Sequence, residues 1–178
     1  MKGKFVTFEG CEGVGKSRQI KLLEEYLSEN GVKYFLTREP GGTDVSEQIR
    51  KILLDGKNAE MTDRCEALLY AASLAQVVSE TILPRLNAGE LVFCDRFVDS
   101  SFAYQGKART LGYKFIEEIN SFVLESCMPD VTIFLDLSPE QAFLRKGGAD
   151  MTDRLETSGA DFHRAVYKGY LELAEKYK

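Results

Sequence analysis

Residues 5–17 read FVTFEGCEGVGKS, an apolar run that breaks into glycines and ends in Lys-Ser. Gly10, Gly15, Lys16 and Ser17 satisfy the G-x-x-x-x-G-K-[ST] spacing of a phosphate-binding P-loop. The spacing has a physical reason. Glycines let the backbone turn so that successive N–H groups across Gly10, Cys11, Glu12, Gly13, Val14 and Gly15 point inward and cradle phosphate oxygens. In that pattern the Lys16 ammonium reaches the β- and γ-phosphates, and the Ser17 hydroxyl is placed to ligate Mg²⁺. The flanks agree: Phe5–Phe8 is strand-like, and an amphipathic helix follows with Ile20, Leu22, Leu23 and Leu27 among Lys, Glu and Gln. The loop therefore implies a bound nucleoside triphosphate.

Outward from the loop, strand-like and helix-like segments alternate. The short apolar runs Phe5–Phe8, Tyr34–Leu36, Leu91–Cys94 and Val131–Leu137 are bounded by Gly, Pro or Asp and read as buried parallel strands. Helical periodicity covers 16–30, 44–54, about 63–87 and 114–127, and a last helix carries Phe162, Val166, Tyr170, Leu173 and Tyr177. Pro84 is expected to shorten or kink the longest of these. Such alternation predicts an α/β fold of the P-loop NTPase kind: three α/β/α layers, a central parallel sheet and right-handed crossovers. The 178 residues fit one domain with a sizeable core. The polar, glycine-rich stretch Gly147–Asp153 suits a mobile loop.

Composition excludes several classes. A net charge of −5 argues against a general nucleic-acid binder. No stretch approaches the length of a membrane span, and the N-terminus enters a strand rather than a signal peptide, so no membrane partner is expected. Cys11, Cys65, Cys94 and Cys127 show no C-x-x-C spacing, which points to free thiols in a reducing cytoplasm. His163, the only histidine, sits on the last helix, where a surface or helix-packing role is expected rather than catalysis.

In doubly wound sheets ligands sit beyond the carboxyl ends of the strands. The second strand is followed by Arg38 and the third by Asp95-Arg96. Guanidinium forks suit bidentate phosphate binding. Two arginines on one rim beside a P-loop imply a second phosphate site, and two phosphate sites imply transfer rather than hydrolysis. A switch GTPase would need a guanine-reading N-K-x-D, which the sequence lacks.

With these residues in view, the chain resembles the thymidylate kinases. The resemblance runs from Phe5 to the C-terminus. It is carried by Phe8–Ser17, Arg38-Glu39-Pro40-Gly41-Gly42-Thr43, Asp95-Arg96-Phe97-Val98-Asp99-Ser100-Ser101 with Ala103-Tyr104-Gln105-Gly106, and Asp153-Arg154-Leu155-Glu156. It implies transfer of the γ-phosphoryl group of ATP to dTMP, giving dTDP, with Mg²⁺ held near Ser17 and Asp95. It further implies that Arg38 and Arg96 hold the acceptor 5′-phosphate, Glu12 approaches its 3′-hydroxyl, and Tyr70 stacks on thymine. Ser100, Ser101, Tyr104 and Gln105 would line the base and sugar pocket. Lys16, Asp95, Arg96 and Arg154 are the implied catalytic set. The lid, at about 145–158, resembles the bacterial style with its cations Arg145, Lys146 and Arg154, because Gly13 stands where the other style carries a loop arginine. A homodimer packed through helices is implied as well.

Three departures mark this chain. Leu74 stands where the family commonly has an arginine contacting thymine and phosphate, Arg18 where threonine is usual, and the chain stops at Lys178, where the family continues with a strand and a helix bordering adenine. Truncation is the expectation. A kinase for another monophosphate such as dUMP, or a weakly active nucleotide-binding regulatory protein, stays open beside the dTMP kinase. On the residues alone, Tyr70 reads equally as a core aromatic, Asp99 as a cap, and Cys11 as a thiol that a helix N-terminus could activate.

Overall fold

The computed structural model describes residues 2–148, 150 and 152–177; Ala149 and Met151, inside the expected lid, lie outside the described residues. Four parallel strands, β1 (Lys4–Glu9), β2 (Tyr34–Arg38), β3 (Leu91–Asp95) and β4 (Val131–Phe134), lie in the order β2-β3-β1-β4. Alternation along each strand divides the side chains between two faces. Phe8, Phe93 and Leu36 pack with Ile20 and Leu27 of α1 (Lys16–Glu29). Phe5, Val92 and Cys94 face the other way, onto the apolar stripe of α3 (Asp63–Val77) and its continuation. The sheet is thus covered by helices on both sides, the α/β/α arrangement expected from the sequence. In register, Arg38 pairs with Asp95 and Asp95 with Phe8, so the P-loop, Arg38 and Asp95–Arg96 emerge on one rim.

The long helix is interrupted as Pro84 requires. After α3, a π-type turn spans Val78–Ile82 and a short α4 (Leu83–Asn87) begins with Pro84 in its first turn. Proline lacks the N–H for an i→i−4 bond and its ring crowds the carbonyl four residues back, so the ladder widens upstream of it. By length and composition, Asp63–Asn87 is in fact long and apolar enough to cross a bilayer, contrary to the sequence expectation. Here Leu74, Val77, Val78, Ile82 and Leu86 of this segment are core side chains beneath the sheet.

Other boundaries differ. α2 (Asp44–Leu54) holds to its predicted range. The helix expected at 114–127 splits into α6 (Tyr113–Ile119) and α7 (Ser121–Ser126) at Asn120, whose buried amide donates to Ile116 O at 3.0 Å. That side-chain bond competes with the helical ladder. β4 ends at Phe134 rather than Leu137, with Val131 and Ile133 exposed on the sheet edge. Two helices were not anticipated: α5 (Val98–Ser101), which runs on through a π turn over Phe102–Ala108, and α8 (Pro139–Lys146). The signal for α8 was present, since Ser138 caps it, Pro139 opens it and Gly147 closes it at φ 88°. α9 (Ala160–Lys176) follows as predicted, packed on the Phe102–Ala108 turn.

Leu74 is 1% exposed and belongs to the core. Leu74→Ala is therefore expected to lower stability by about 2–5 kcal/mol through lost burial and a residual cavity. Urea unfolding measures this, and a loss below about 1 kcal/mol would contradict its core placement.

Candidate active site

The P-loop leaves β1 at Gly10, whose φ of 144° and position 2.9 Å (for an added Cβ) from Leu135 O exclude a side chain. Gly13 is constrained likewise by φ 74° and a 2.8 Å approach to Ala142 O. Val14 packs with Ala142, and Gly15 caps α1 in the left-handed conformation. Lys16 opens that helix and turns back, donating from Nζ to Gly10 O and Cys11 O, both at 3.1 Å. Burial, with Arg96 nearby, pulls its pKa down to about 8 against the opposing pull of Glu12, Asp95 and Glu9. Cys11 is buried, and burial pushes its thiol up to about 11, so the helix N-terminus does not activate it. Arg18 is exposed on α1, a solvated side chain.

Arg96 is the hub. Its backbone is left-handed, φ 69°, and its amide donates to Phe8 O at 2.9 Å. From there the guanidinium crosses the site: Nη1 donates to Gly10 O at 2.8 Å and Tyr170 Oη at 2.9 Å, and Nη2 to Glu12 Oε1 at 2.8 Å. Behind it, buried Glu9 accepts from Phe97 N, Ser100 Oγ and Tyr170 Oη at 2.7, 2.7 and 2.9 Å. Burial and neighbouring Asp99 raise Glu9 to about 7. Asp99 lies inside α5 rather than capping it. For Glu12, burial alone would raise the pKa, yet Arg96 and Lys16 outweigh it and hold the carboxylate at about 2.

Two cavities meet at this hub. One is lined by Gly13, Gly15, Lys16, Ser17, Arg38, Asp95 and Lys146; the other by Tyr70, Ser100, Ser101, Tyr104 and Gln105; Glu12, Glu39, Arg50 and Arg96 line both. Arg38 reaches the first cavity with its guanidinium tied to Glu47 by bonds of 3.0 Å to each oxygen. Asp95 Oδ1 is buried with no hydrogen-bond partner among the described residues, and Ser17 stands in the same cavity. That orphaned oxygen and hydroxyl form a hard donor pair suited to Mg²⁺, whose other ligands would be phosphate oxygens and water. Among the described residues no cluster of three or more His, Cys, Asp or Glu could hold a metal by itself.

In the second cavity Tyr104 donates to Glu12 Oε1 at 3.1 Å, and Gln105 donates from Nε2 to Glu66 Oε1 at 2.8 Å. Glu66, fully buried on α3, also receives Arg109 Nη2 at 3.1 Å. Glu39 is 6% exposed and neither carboxylate oxygen has a hydrogen-bond partner of good geometry among the described residues. Burial drives its pKa well above the usual carboxylate range, against the opposing pull of Arg50.

Arg154, expected among the lid cations, lies apart from the phosphate cavity. It is 9% exposed, donates to Leu53 O at 3.0 Å and is ion-paired with Glu66 at 2.6 Å. The ion pair gives each of these two buried side chains a partner of opposite charge, without which burial would be costly. The cation that lines the phosphate cavity from this segment is Lys146, bonded to Glu156, and Arg145 Nη2 lies 3.9 Å from a Cβ built on Gly15. His163 is buried against Phe143 and Phe162, so of its two expected roles it takes packing and not the surface. Sequence reasoning missed Glu9, Arg50, Glu66 and Tyr170. Tyr170 was visible only as part of an apolar stripe, Glu9 only as a polar residue closing a buried strand, and Arg50 and Glu66 carried no local signal.

Comparison with known proteins agrees with this geometry. Residues 8–178 match the family model described as thymidylate kinase. The thymidylate kinase of Clostridium novyi (strain NT) is 47% identical over 178 residues, covering 99% of this chain and 87% of that protein. That of Thermoanaerobacter sp. (strain X514) is 49% identical over 177 residues, covering 99% and 86%. The crystal structure of thymidylate kinase from Ehrlichia chaffeensis superposes with a TM-score of 0.77 at 33% identity, covering 99% of this chain and 86% of that one. With a P-loop, a strand-end arginine hub and an adjoining polar cavity in the places such an enzyme needs them, the chain belongs to the thymidylate kinase family.

Proposed function

We propose that this chain transfers the γ-phosphoryl group of ATP to dTMP, releasing ADP and dTDP. The carrying observation is that the P-loop cavity and the Tyr70–Gln105 cavity share Arg96, so one guanidinium touches both ends of the transfer path. An oxygen of the acceptor phosphate attacks the γ-phosphorus. The new P–O bond forms as the bond to the β–γ bridging oxygen breaks, and the β-phosphate leaves with that electron pair. The acceptor is already an anion at neutral pH, so no general base is needed, and catalysis is positioning plus charge neutralisation.

The P-loop amides from Gly10 to Ser17 and the Lys16 ammonium hold the triphosphate. Arg96 and Arg50 receive the acceptor phosphate together with Arg38, which must exchange Glu47 for it. Ser17 and Asp95 are the residues that would hold Mg²⁺. When bound, that ion neutralises phosphate charge and fixes the leaving-group geometry. Tyr70 offers thymine an aromatic face, Glu12 and Tyr104 face the sugar, and Ser100, Ser101 and Gln105 close the pocket. Lys146 and Arg145, rather than Arg154, supply the lid cation. One domain carries all of this. An exposed apolar stripe on α3, with Leu68 at 53% exposure, supports a homodimer through that helix, and four free thiols support a cytoplasmic setting.

The test is ADP release from ATP and Mg²⁺ with dTMP, dUMP, dCMP, dGMP or dAMP as acceptor. Release that depends on dTMP and far exceeds the acceptor-free rate is the expected result. Equal release with and without acceptor would overturn the reading.

A further inference from the structure

A pyrimidine kinase must tell thymine from cytosine, which swap a ring N–H donor for a bare nitrogen acceptor and a carbonyl for an amino group. Position 74 contributes nothing here, because Leu74 is a core side chain and does not line the base cavity. Gln105 does line it, 1% exposed at the inner wall. An amide is ambivalent: turned one way it offers the cavity an acceptor, turned the other a pair of donors. What lies behind it decides. Nε2 donates to Glu66 Oε1 at 2.8 Å, and Glu66 is a fully buried carboxylate with only acceptor oxygens to offer. Arg109, 3.1 Å away, and Arg154, 2.6 Å away, lock that carboxylate in place.

Given the dTMP reading above, on which this rests, we propose that Glu66 is a specificity-positioning residue that fixes the Gln105 amide with its oxygen toward the cavity, so that the site accepts bases bearing a ring N–H and rejects cytosine. With Oε1 facing inward, Gln105 accepts from the thymine or uracil ring N–H, and the second Nε2 hydrogen serves the adjacent carbonyl. Cytosine demands the reverse. Turning the amide to suit it would press Oε1 against the Glu66 carboxylate, an unpaired and repulsive contact between two buried side chains. Sites built around one donor–acceptor sense reject the opposite pattern strongly, because the mismatch leaves buried groups unpaired. The same geometry predicts no discrimination between dTMP and dUMP by this contact, since both carry the ring N–H.

The experiment is the ratio of kcat/KM for dTMP over dCMP in the full chain and in Glu66→Gln. A glutamine at 66 can donate or accept, so the Gln105 amide regains both orientations. The ratio is expected to narrow by about tenfold or more, with dCMP use rising as dTMP use falls. A purely structural role would depress both substrates together and leave the ratio unchanged; that result in a folded variant overturns the proposal. Should Glu66→Gln fail to fold by circular dichroism, Glu66→Asp withdraws the acceptor by one methylene and tests the same contact without altering the amide that faces the base. A narrowed ratio in Glu66→Asp supports the fixed amide, and an unchanged ratio overturns it. A parent chain with no dTMP-dependent ADP release refutes the dTMP kinase reading and this inference with it, whereas an active parent whose variants keep the ratio refutes the orientation alone.

Discussion

Arg96→Ala is expected to lower kcat/KM for dTMP phosphorylation by about 10³-fold or more, the scale of losing a cation aimed at a moving phosphoryl group. The guanidinium is preorganised before any ligand arrives: Gly10 O, Tyr170 Oη and Glu12 Oε1 fix its plane within 2.8–2.9 Å. With Glu12, Glu39 and Arg50 it also lines both cavities, so its removal weakens acceptor binding and charge neutralisation together. Alanine further leaves Glu12 without its ion-pair partner, and burial then raises the Glu12 pKa from its present value near 2. Arg96→Lys separates charge from geometry. Lysine keeps the positive charge but presents a point where the site is built for a fork, so a loss of about tenfold or more is expected even there. Steady-state kinetics with dTMP decides the matter. A folded Arg96→Ala with kcat/KM within about threefold of the parent would remove Arg96 from the transfer path.

The P-loop, the two strand-end arginines and the parallel sheet were legible because each is a local pattern: glycine spacing, apolar runs of strand length, and what immediately follows them. The rest was hidden by tertiary context. Arg154 sits in a motif that reads as part of a basic lid, and nothing in the residues around it announces that Glu66, 88 positions earlier, draws it inward. Gln105 was legible as a pocket residue, but its orientation was not, because Glu66 lies on a different helix. Glu9 and Tyr170 meet across 161 positions to brace Arg96, and no spacing rule encodes that contact. The break at Asn120 depends on a buried side-chain bond to Ile116 O that a periodicity count treats as one more polar residue. What the fold adds to the motifs is therefore a supporting layer that aims them: Glu9 and Tyr170 aim Arg96, and Glu66 aims Gln105.

The second large effect falls on Lys16. Lys16→Ala is expected to cut kcat by about 10²–10³-fold or more, with KM for ATP rising as well, because its ammonium is the cation the loop itself supplies to the β- and γ-phosphates. Its geometry without ligand is a holding position: Nζ rests on Gly10 O and Cys11 O at 3.1 Å, 7% exposed, ready to exchange carbonyls for phosphate oxygens. That burial also makes its charge conditional. Desolvation, with Arg96 nearby, sets its pKa near 8 in the free protein, so the ammonium is present below that pH and is lost as pH rises through it. In kcat/KM for ATP, which reports the free enzyme, a basic limb near pH 8 is therefore expected. In kcat the limb should move to higher pH, because the triphosphate's negative charge stabilises the ammonium once bound. Lys16→Arg shifts the comparison further: a guanidinium stays charged throughout, so whatever activity it retains should show no limb near pH 8. pH profiles of the parent and Lys16→Arg, read side by side, test the assignment. A limb near pH 8 that persists unchanged in Lys16→Arg would show that another group titrates there and that Lys16 is not the cation whose charge limits phosphoryl transfer.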